Sequence, residues 1–228
     1  MSLENDYEPK DMADIVYPDN NAHDVINHFA AVGASKVPGN LLLHGPYGSG
    51  KSATARIVVD HLLRGTSGMN SKELSGSKFK TSGQIEEVIA NFSSYIALGA
   101  NYRVVIIDEI DYMSDIAQAE LRVQMDRFKT MCAFLLTTNN LNKVDCAIQS
   151  RCRVLSYGPA NPVRWMARAQ KIMASEGVSI SAGDLLKVLQ ASGGDIRMMF
   201  QNMEVIIQSH KAAALTTMPV PPVPVKAA

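Results

Sequence analysis

Apolar runs without internal alternation punctuate the first two thirds of the chain: "NLLLHG" at 40–45, "RVVIIDE" at 103–109, "AFLLTTNN" at 133–140 and "RVLSYG" at 153–158. Such runs, separated by segments with helical spacing, predict an α/β fold whose parallel strands are covered on both faces. A further, weaker strand is expected at 77–80. The intervening helices are expected at 52–63, at about 84–98, where Thr81 and Gln84 have capping-box spacing, and at about 116–129. The first three runs end in charged or polar residues at their C-terminal ends. Open α/β sheets place their ligands at that edge.

After Gly158-Pro159 the strand signals stop. "NPVRWMARAQKIMASEG" (161–177) opens with an Asn cap and Pro at the first helical position, and closes at Gly177. "SAGDLLKVLQAS" (181–192) and "GDIRMMFQNMEVIIQSH" (194–210) predict two further helices. The expected organisation is a sheet-bearing part over 1–158, a three-helix domain over 159–211 and a Pro-rich extended tail over 212–228. A helical domain of that size needs to dock on the sheet to be stable.

Apolar residues are 46% and charged residues 19% of the chain, which excludes wholesale disorder. Formal net charge is zero, so any nucleic-acid contact must come from a local patch. Residues 1–24 carry seven acids against one lysine, whereas 146–175 carry Arg151, Arg153, Arg164, Arg168 and Lys171 and no acid. That asymmetry fits either two solvated faces or an assembly in which unlike faces meet. Cys132, Cys146 and Cys152 lack metal-ligand spacing and read as thiols in a reducing compartment. No apolar run reaches membrane-spanning length and the acidic N-terminus is unlike a signal peptide, so a cytoplasmic-type protein is expected.

The chemistry concentrates in two segments. "GPYGSGKS" fits G-x-x-x-x-G-K-[ST] between a strand and a helix, which makes Gly45, Pro46, Tyr47, Gly48, Ser49, Gly50, Lys51, Ser52 and Ala53 the candidate phosphate cradle. Backbone N–H groups and the helix N-terminus would face the phosphates, Lys51 would reach the β/γ oxygens, and Ser52 would offer a hydroxyl to Mg²⁺. "VVIIDEID" (104–111) adds Asp108 as the second Mg²⁺ candidate, expected on the strand next to the loop's own. Glu109 is the candidate for polarising the attacking water. Together the segments indicate hydrolysis of a nucleoside triphosphate. Asn139 and Asn140 either contact the γ-phosphate and attacking water or form a turn. Arg151, in "AIQSRCRV", could balance a surface carboxylate, grip DNA, or face a nucleotide held by another copy of the chain.

Across residues 7–210 the chain resembles the AAA+ ATPase subunits of sliding-clamp loaders, the replication-factor-C-like group. "YEPKDMADIVYPD", "DEIDYMSDIAQAELR", "TNNLNKVDCAIQSRC" and "GGDIRMMFQNM" carry the likeness in the family's order, and "NFSSYIALGANYRVVIIDEID" with "QSRCRVLSYG" is most similar to phage-type members. The resemblance implies an AAA+ P-loop domain with a five-stranded parallel sheet, followed by the helical lid. It matches Asn139 to sensor 1, Arg197 to the sensor-2 arginine of the lid, and Arg151 to an arginine finger acting on the neighbouring subunit's ATP. Fingers of that kind are worth roughly 10³–10⁵ in rate. It also implies contact with a sliding clamp, primer–template DNA, and other clamp-loader subunits or identical copies. For DNA the nearest candidates are Lys78, Lys80, Thr81 and Ser82 at a helix start, which read equally as a solvated loop, and Arg122.

The sequence departs from the family where Glu8 stands in place of an arginine, and a Pro-rich tail is expected at 212–228, where clamp-loader subunits continue from the lid into a helical collar. A branch-migration or recombination ATPase and a non-hydrolysing scaffold subunit are the competing expectations.

Overall fold

The computed structural model describes residues 2–216, with side chains as far as 212. Five strands, β1 (Leu41–His44), β2 (Ser71–Ser75), β3 (Arg103–Asp108), β4 (Cys132–Thr138) and β5 (Arg153–Ser156), form one sheet in the order β2-β3-β4-β1-β5. Every pairing is parallel. Two expectations are corrected here. The edge strand before the 84–98 region is β2 at 71–75, and 77–80 is a short turn and loop. Its residues, "SKELS", are half-buried at best, so they carry no apolar run to read. Moreover, β3 is not next to β1: β4 lies between them, so Asp108 sits two strands from the phosphate loop.

Side-chain alternation explains why the central runs are apolar throughout. Val104 and Ile106 of β3 face one core with Leu41, Leu43, Ala133 and Leu135, while Val105 and Ile107 face the other with Leu42, Phe134 and Leu136. Helices α2 (Asn20–Ala30) and α3 (Lys51–Leu62) cover the first face through Val25, Ile26, Phe29, Val58 and Leu62. Helices α4 (Ser82–Ser93) and α5 (Asp115–Arg127) cover the second through Ile85, Ile89, Leu121 and Met125. Thr81 N–H donates to Gln84 Oε1 at 3.1 Å, the expected cap of α4. The helix stops at Ser93, five residues before 98. A one-turn helix, α6 (Cys146–Gln149), precedes β5.

Beyond the sheet, α7 (Pro162–Ser175), α8 (Ala182–Gln190) and α9 (Ile196–Thr216) enclose a third apolar cluster centred on Trp165, Leu185, Leu189, Met199, Phe200 and Met203. Asn161 caps α7 by accepting from Val163 N–H at 2.9 Å, and Gly177 closes it with φ +75°. The cluster is not built from residues 159–211 alone. Leu3, on the short helix α1 (Leu3–Asp6), is buried in it. Arg168 of α7 donates to Tyr7 O at 2.7 Å and to Asp14 O, tying the N-terminal segment to the helices. Residues 212–216, expected in an extended tail, continue α9 instead; 217–228 lie outside the described residues.

Where β1 turns into the phosphate loop, the backbone of Gly45 passes against β5's continuation. A Cβ there would lie 1.9 Å from Tyr157 O. Gly45→Ala is therefore expected to destabilise the protein by about 1–3 kcal/mol, the usual cost of forcing atoms into a packed site, read as a lower urea midpoint. An unchanged midpoint would contradict this packing.

Candidate functional site

The glycines of the loop are required at specific points. Gly48 and Gly50 have φ of +69° and +90°, which residues with a Cβ adopt at a cost. Gly48 also lies beneath the start of α9: Ile196 N–H donates to Gly48 O at 2.8 Å, and a Cβ on Gly48 would sit 2.2 Å from the Asp195 carboxyl. Gly50 precedes α3, whose N-terminus points its free N–H groups at the loop. The loop thus rests against the helical layer as well as the sheet.

A cavity of about 260 Å³ runs along the loop. Its lining joins residues 47–54 and the strand-end residues Asp108, Glu109, Thr137 and Asn139 to Glu4, Glu8 and Asp14 of the N-terminal segment and to Arg168 and Arg197 of the helical layer. Ile15, Val16, Trp165 and Phe200 add apolar surface to it. Such a mixed lining suits a ligand that has both an anionic and an apolar part.

Lys51 is buried and donates to Gly45 O at 2.9 Å, Pro46 O at 2.7 Å and Ser49 Oγ at 3.3 Å. Burial disfavours its charge and pulls its pKa down to about 8, against the opposing pull of Asp108, Asp111 and Glu109. Ser52 Oγ donates to Asp108 Oδ1 at 2.6 Å, so the two hard-oxygen groups expected to serve Mg²⁺ are adjacent. Among the described residues no group of three or more His, Cys, Asp or Glu side chains could hold a metal. One carboxylate and one hydroxyl fit a small cation that takes its remaining ligands from phosphates and water.

Glu109 follows with φ +56° and ψ +54°, the one non-glycine positive φ among the described residues. Its N–H donates to Thr137 Oγ1 at 3.0 Å, and the Thr137 hydroxyl donates in turn to Asp108 Oδ1. Gly76 leaves room for this turn, since a Cβ there would lie 2.4 Å from Glu109 O. The Asn pair divides. Asn139 borders the cavity, with its N–H 3.4 Å from Asp111 Oδ1. Asn140 is a turn residue whose side chain accepts from Asn142 N–H at 3.1 Å.

Of the remaining candidates, only Arg197 reaches the cavity. Arg197, at the start of α9, has Nε 3.7 Å from Glu4 Oε1 and a largely exposed side chain. Arg151 is outside the cavity. Its Nε and one terminal nitrogen donate to the two Asp126 oxygens at 2.8 Å each, and its other nitrogen to Ala147 O at 2.8 Å. Those bonds hold the Asp126 carboxyl below the usual carboxylate range. Lys78, Lys80, Thr81 and Ser82 are all exposed around the start of α4, with Lys80 Nζ donating to Tyr112 O at 2.7 Å. Arg122 is half-exposed, 3.9 Å from the Asp145 carboxylate.

Several contributors escaped the sequence analysis. Thr137 reads as part of a strand, and Asp195 as the start of a helix; only the fold brings Thr137 to the cavity and Asp195 against Gly48 of the loop. Met69, Tyr95, Ile96 and Leu98 are exposed apolar residues; Arg103 donates to Met69 O and Ile96 O and lies over the Tyr95 ring. The 94–98 stretch was expected to continue α4, which concealed the exposure of Tyr95, Ile96 and Leu98. Tyr47 and Tyr112, both exposed at the loop's rim, share a hydroxyl–hydroxyl hydrogen bond of 2.9 Å.

Residues 41–159 match the model of the "ATPase family associated with various cellular activities (AAA)". The chain is 30% identical over 207 residues to replication factor C subunit 4 of Encephalitozoon cuniculi, spanning 91% of this chain and 65% of that protein. It is 30% identical over 192 residues to the replication factor C small subunit of Archaeoglobus fulgidus, spanning 84% of this chain and 59% of that one. The chain therefore covers less than two thirds of either relative. In fold it is similar to the Thermotoga maritima RuvB Holliday junction branch migration motor, with a TM-score of 0.74 at 16% identity over 91% of this chain and 67% of that one. A family match over more than half of the sequence, on a parallel sheet carrying a phosphate loop, shows that this chain belongs to the AAA ATPases.

Proposed function

We propose that this chain is an ATP-hydrolysing subunit of a sliding-clamp loader, acting in an oligomer in which each pocket is completed by the adjoining subunit. The observation that carries this is a division of labour. Lys51, Ser52, Asp108, Glu109, Asn139 and Arg197 gather at or beside one cavity, while Arg151 is held on another face by Asp126.

The loop amides and the α3 N-terminus bind the phosphates, and Lys51 exchanges its loop carbonyls for β/γ oxygens. Ile15, Val16, Trp165 and Phe200 clasp the base. Ser52 and Asp108 would hold Mg²⁺, which supplies charge neutralisation at the transferred phosphoryl group. Glu109 orients the attacking water, Asn139 fixes the γ-phosphate, and Arg197 leaves Glu4 to meet it from the lid. Arg151 of one subunit serves the ATP of the next. Its tie to Asp126 is a bidentate surface pair, which it would exchange for the more highly charged triphosphate. The 30% identity to replication factor C subunits supports the clamp-loading reading. So do the exposed Met69, Tyr95, Ile96 and Leu98, since exposed apolar surface of this kind marks a protein partner such as a clamp. Lys78, Lys80, Thr81 and Ser82 would take DNA phosphates at the α4 N-terminus, with Arg122 nearer the subunit boundary.

The test is ATP turnover with and without primed DNA and a ring-shaped sliding clamp. Joint stimulation by both is expected. Stimulation by DNA alone would indicate a branch-migration motor, and no turnover a nucleotide-binding scaffold; either overturns the proposal.

Lys51 gives a second expectation. With its pKa near 8 in the protein alone and raised by an anionic ligand, nucleotide binding takes up a proton above that pH. Affinity is therefore maintained below about pH 8 and lost as pH rises through it. The fluorescence of Trp165, the chain's single tryptophan, should report a Kd about tenfold weaker at pH 9 than at pH 7. Equal Kd values at the two would contradict the assignment.

A further inference from the structure

We propose that Thr137 is a positioning residue that sets the geometry of both carboxylates of the hydrolytic centre; this rests on the roles proposed above for Asp108 and Glu109. Thr137 lies at the C-terminal end of β4, one step past the last β3–β4 pair, Ile107 with Leu136, which brings it beside Asp108. Its side chain is buried, at 1% exposure, and its hydroxyl is fully committed.

The polarity of the hydrogen bonds is fixed by proton count. Glu109 N–H can only donate, so Thr137 Oγ1 accepts from it at 3.0 Å. The single hydroxyl proton of Thr137 is then free to go to Asp108 Oδ1, which also accepts from Ser52 Oγ at 2.6 Å. Two hydroxyls thus occupy one oxygen of Asp108, leaving Oδ2 as its less encumbered oxygen. The same threonine pins the peptide of Glu109 at φ +56°, a conformation that residues with a Cβ seldom adopt. Without that anchor the Glu109 peptide would be left with an unmatched, half-buried donor. It could relax towards ordinary backbone angles, taking the carboxylate with it. One hydroxyl therefore couples the orientation of the proposed metal-binding carboxylate to that of the proposed water-orienting carboxylate, from a strand that neither residue belongs to.

Thr137→Val keeps the shape and removes both hydrogen bonds, and Thr137→Ser keeps the hydroxyl. For Thr137→Val, kcat should fall about 10–100-fold and the Mg²⁺ concentration for half-maximal turnover should rise, as for partners that orient metal-site ligands. The Kd for nucleotide, read by Trp165 fluorescence, should stay at the parent value, and Thr137→Ser should restore kcat and the Mg²⁺ response. Thr137→Ala serves as a second deletion should the valine variant fail to fold, with the same expectation. Parent kcat and Mg²⁺ dependence in a folded deletion variant would overturn the proposal. Glu109→Gln separates the two levels. If it keeps full turnover, the role of Glu109 and the inference built on it both fall. If it loses turnover while Thr137→Val does not, the role of Thr137 alone falls.

Discussion

The contact on which the site depends is the seating of the phosphate loop against the start of α9. Gly48 offers its carbonyl to Ile196 N–H at 2.8 Å, and its missing Cβ is what lets Asp195 approach. The loop is therefore held by β1 behind it, by Tyr157 at Gly45, by Lys51 from within and by the helical layer in front. The same peptide contact joins the loop directly to the helix that carries Arg197, with no intervening side chain. The N-terminal segment adds a further tie: Leu3 is buried in the apolar cluster of α7, α8 and α9, and Glu4 lies beside Arg197. The acid-rich start of the chain, which the sequence left open between a solvated face and an assembly face, here lies partly along the chain's own cavity through Glu4, Glu8 and Asp14.

The parts of the site that the sequence displayed are those in which chemistry and secondary structure occupy the same short stretch. "GPYGSGKS" needs its glycines, lysine and serine in consecutive order, because a loop and a helix start are local objects. "VVIIDE" shows where a buried strand meets the ligand edge for the same reason. Elements whose role depends on what lies beside them were illegible. β2 is an edge strand with few apolar positions, so its burial pattern is too shallow for periodicity to mark. The insertion of β4 between β1 and β3 is a fact of strand order, which no single strand's sequence encodes. Thr137 reads as an ordinary β-branched strand residue until β3 is placed next to it. Leu3 joins a cluster formed by residues more than 150 positions later, and nothing in its neighbours announces that.

Arg151 shows a complementary case. Its position in the chain allowed a surface ion pair, a DNA contact or a trans-acting group, and the pair with Asp126 is present in the fold. A bidentate partner on α5 and a third bond to Ala147 O hold the guanidinium away from its own cavity. The proposed role is that Arg151, outside its own cavity, is offered to a neighbour's nucleotide and leaves Asp126 to reach it.

That claim is tested most directly by mixing two inactive variants. Arg151→Ala retains Glu109 but lends no guanidinium, and Glu109→Gln lends Arg151 but has no water-orienting carboxylate. In mixed assemblies some pockets combine an intact Glu109 with a neighbour's intact Arg151, so turnover should rise above that of either variant alone. Turnover no greater than the sum of the two separate variants would show that Arg151 does not serve the adjoining pocket.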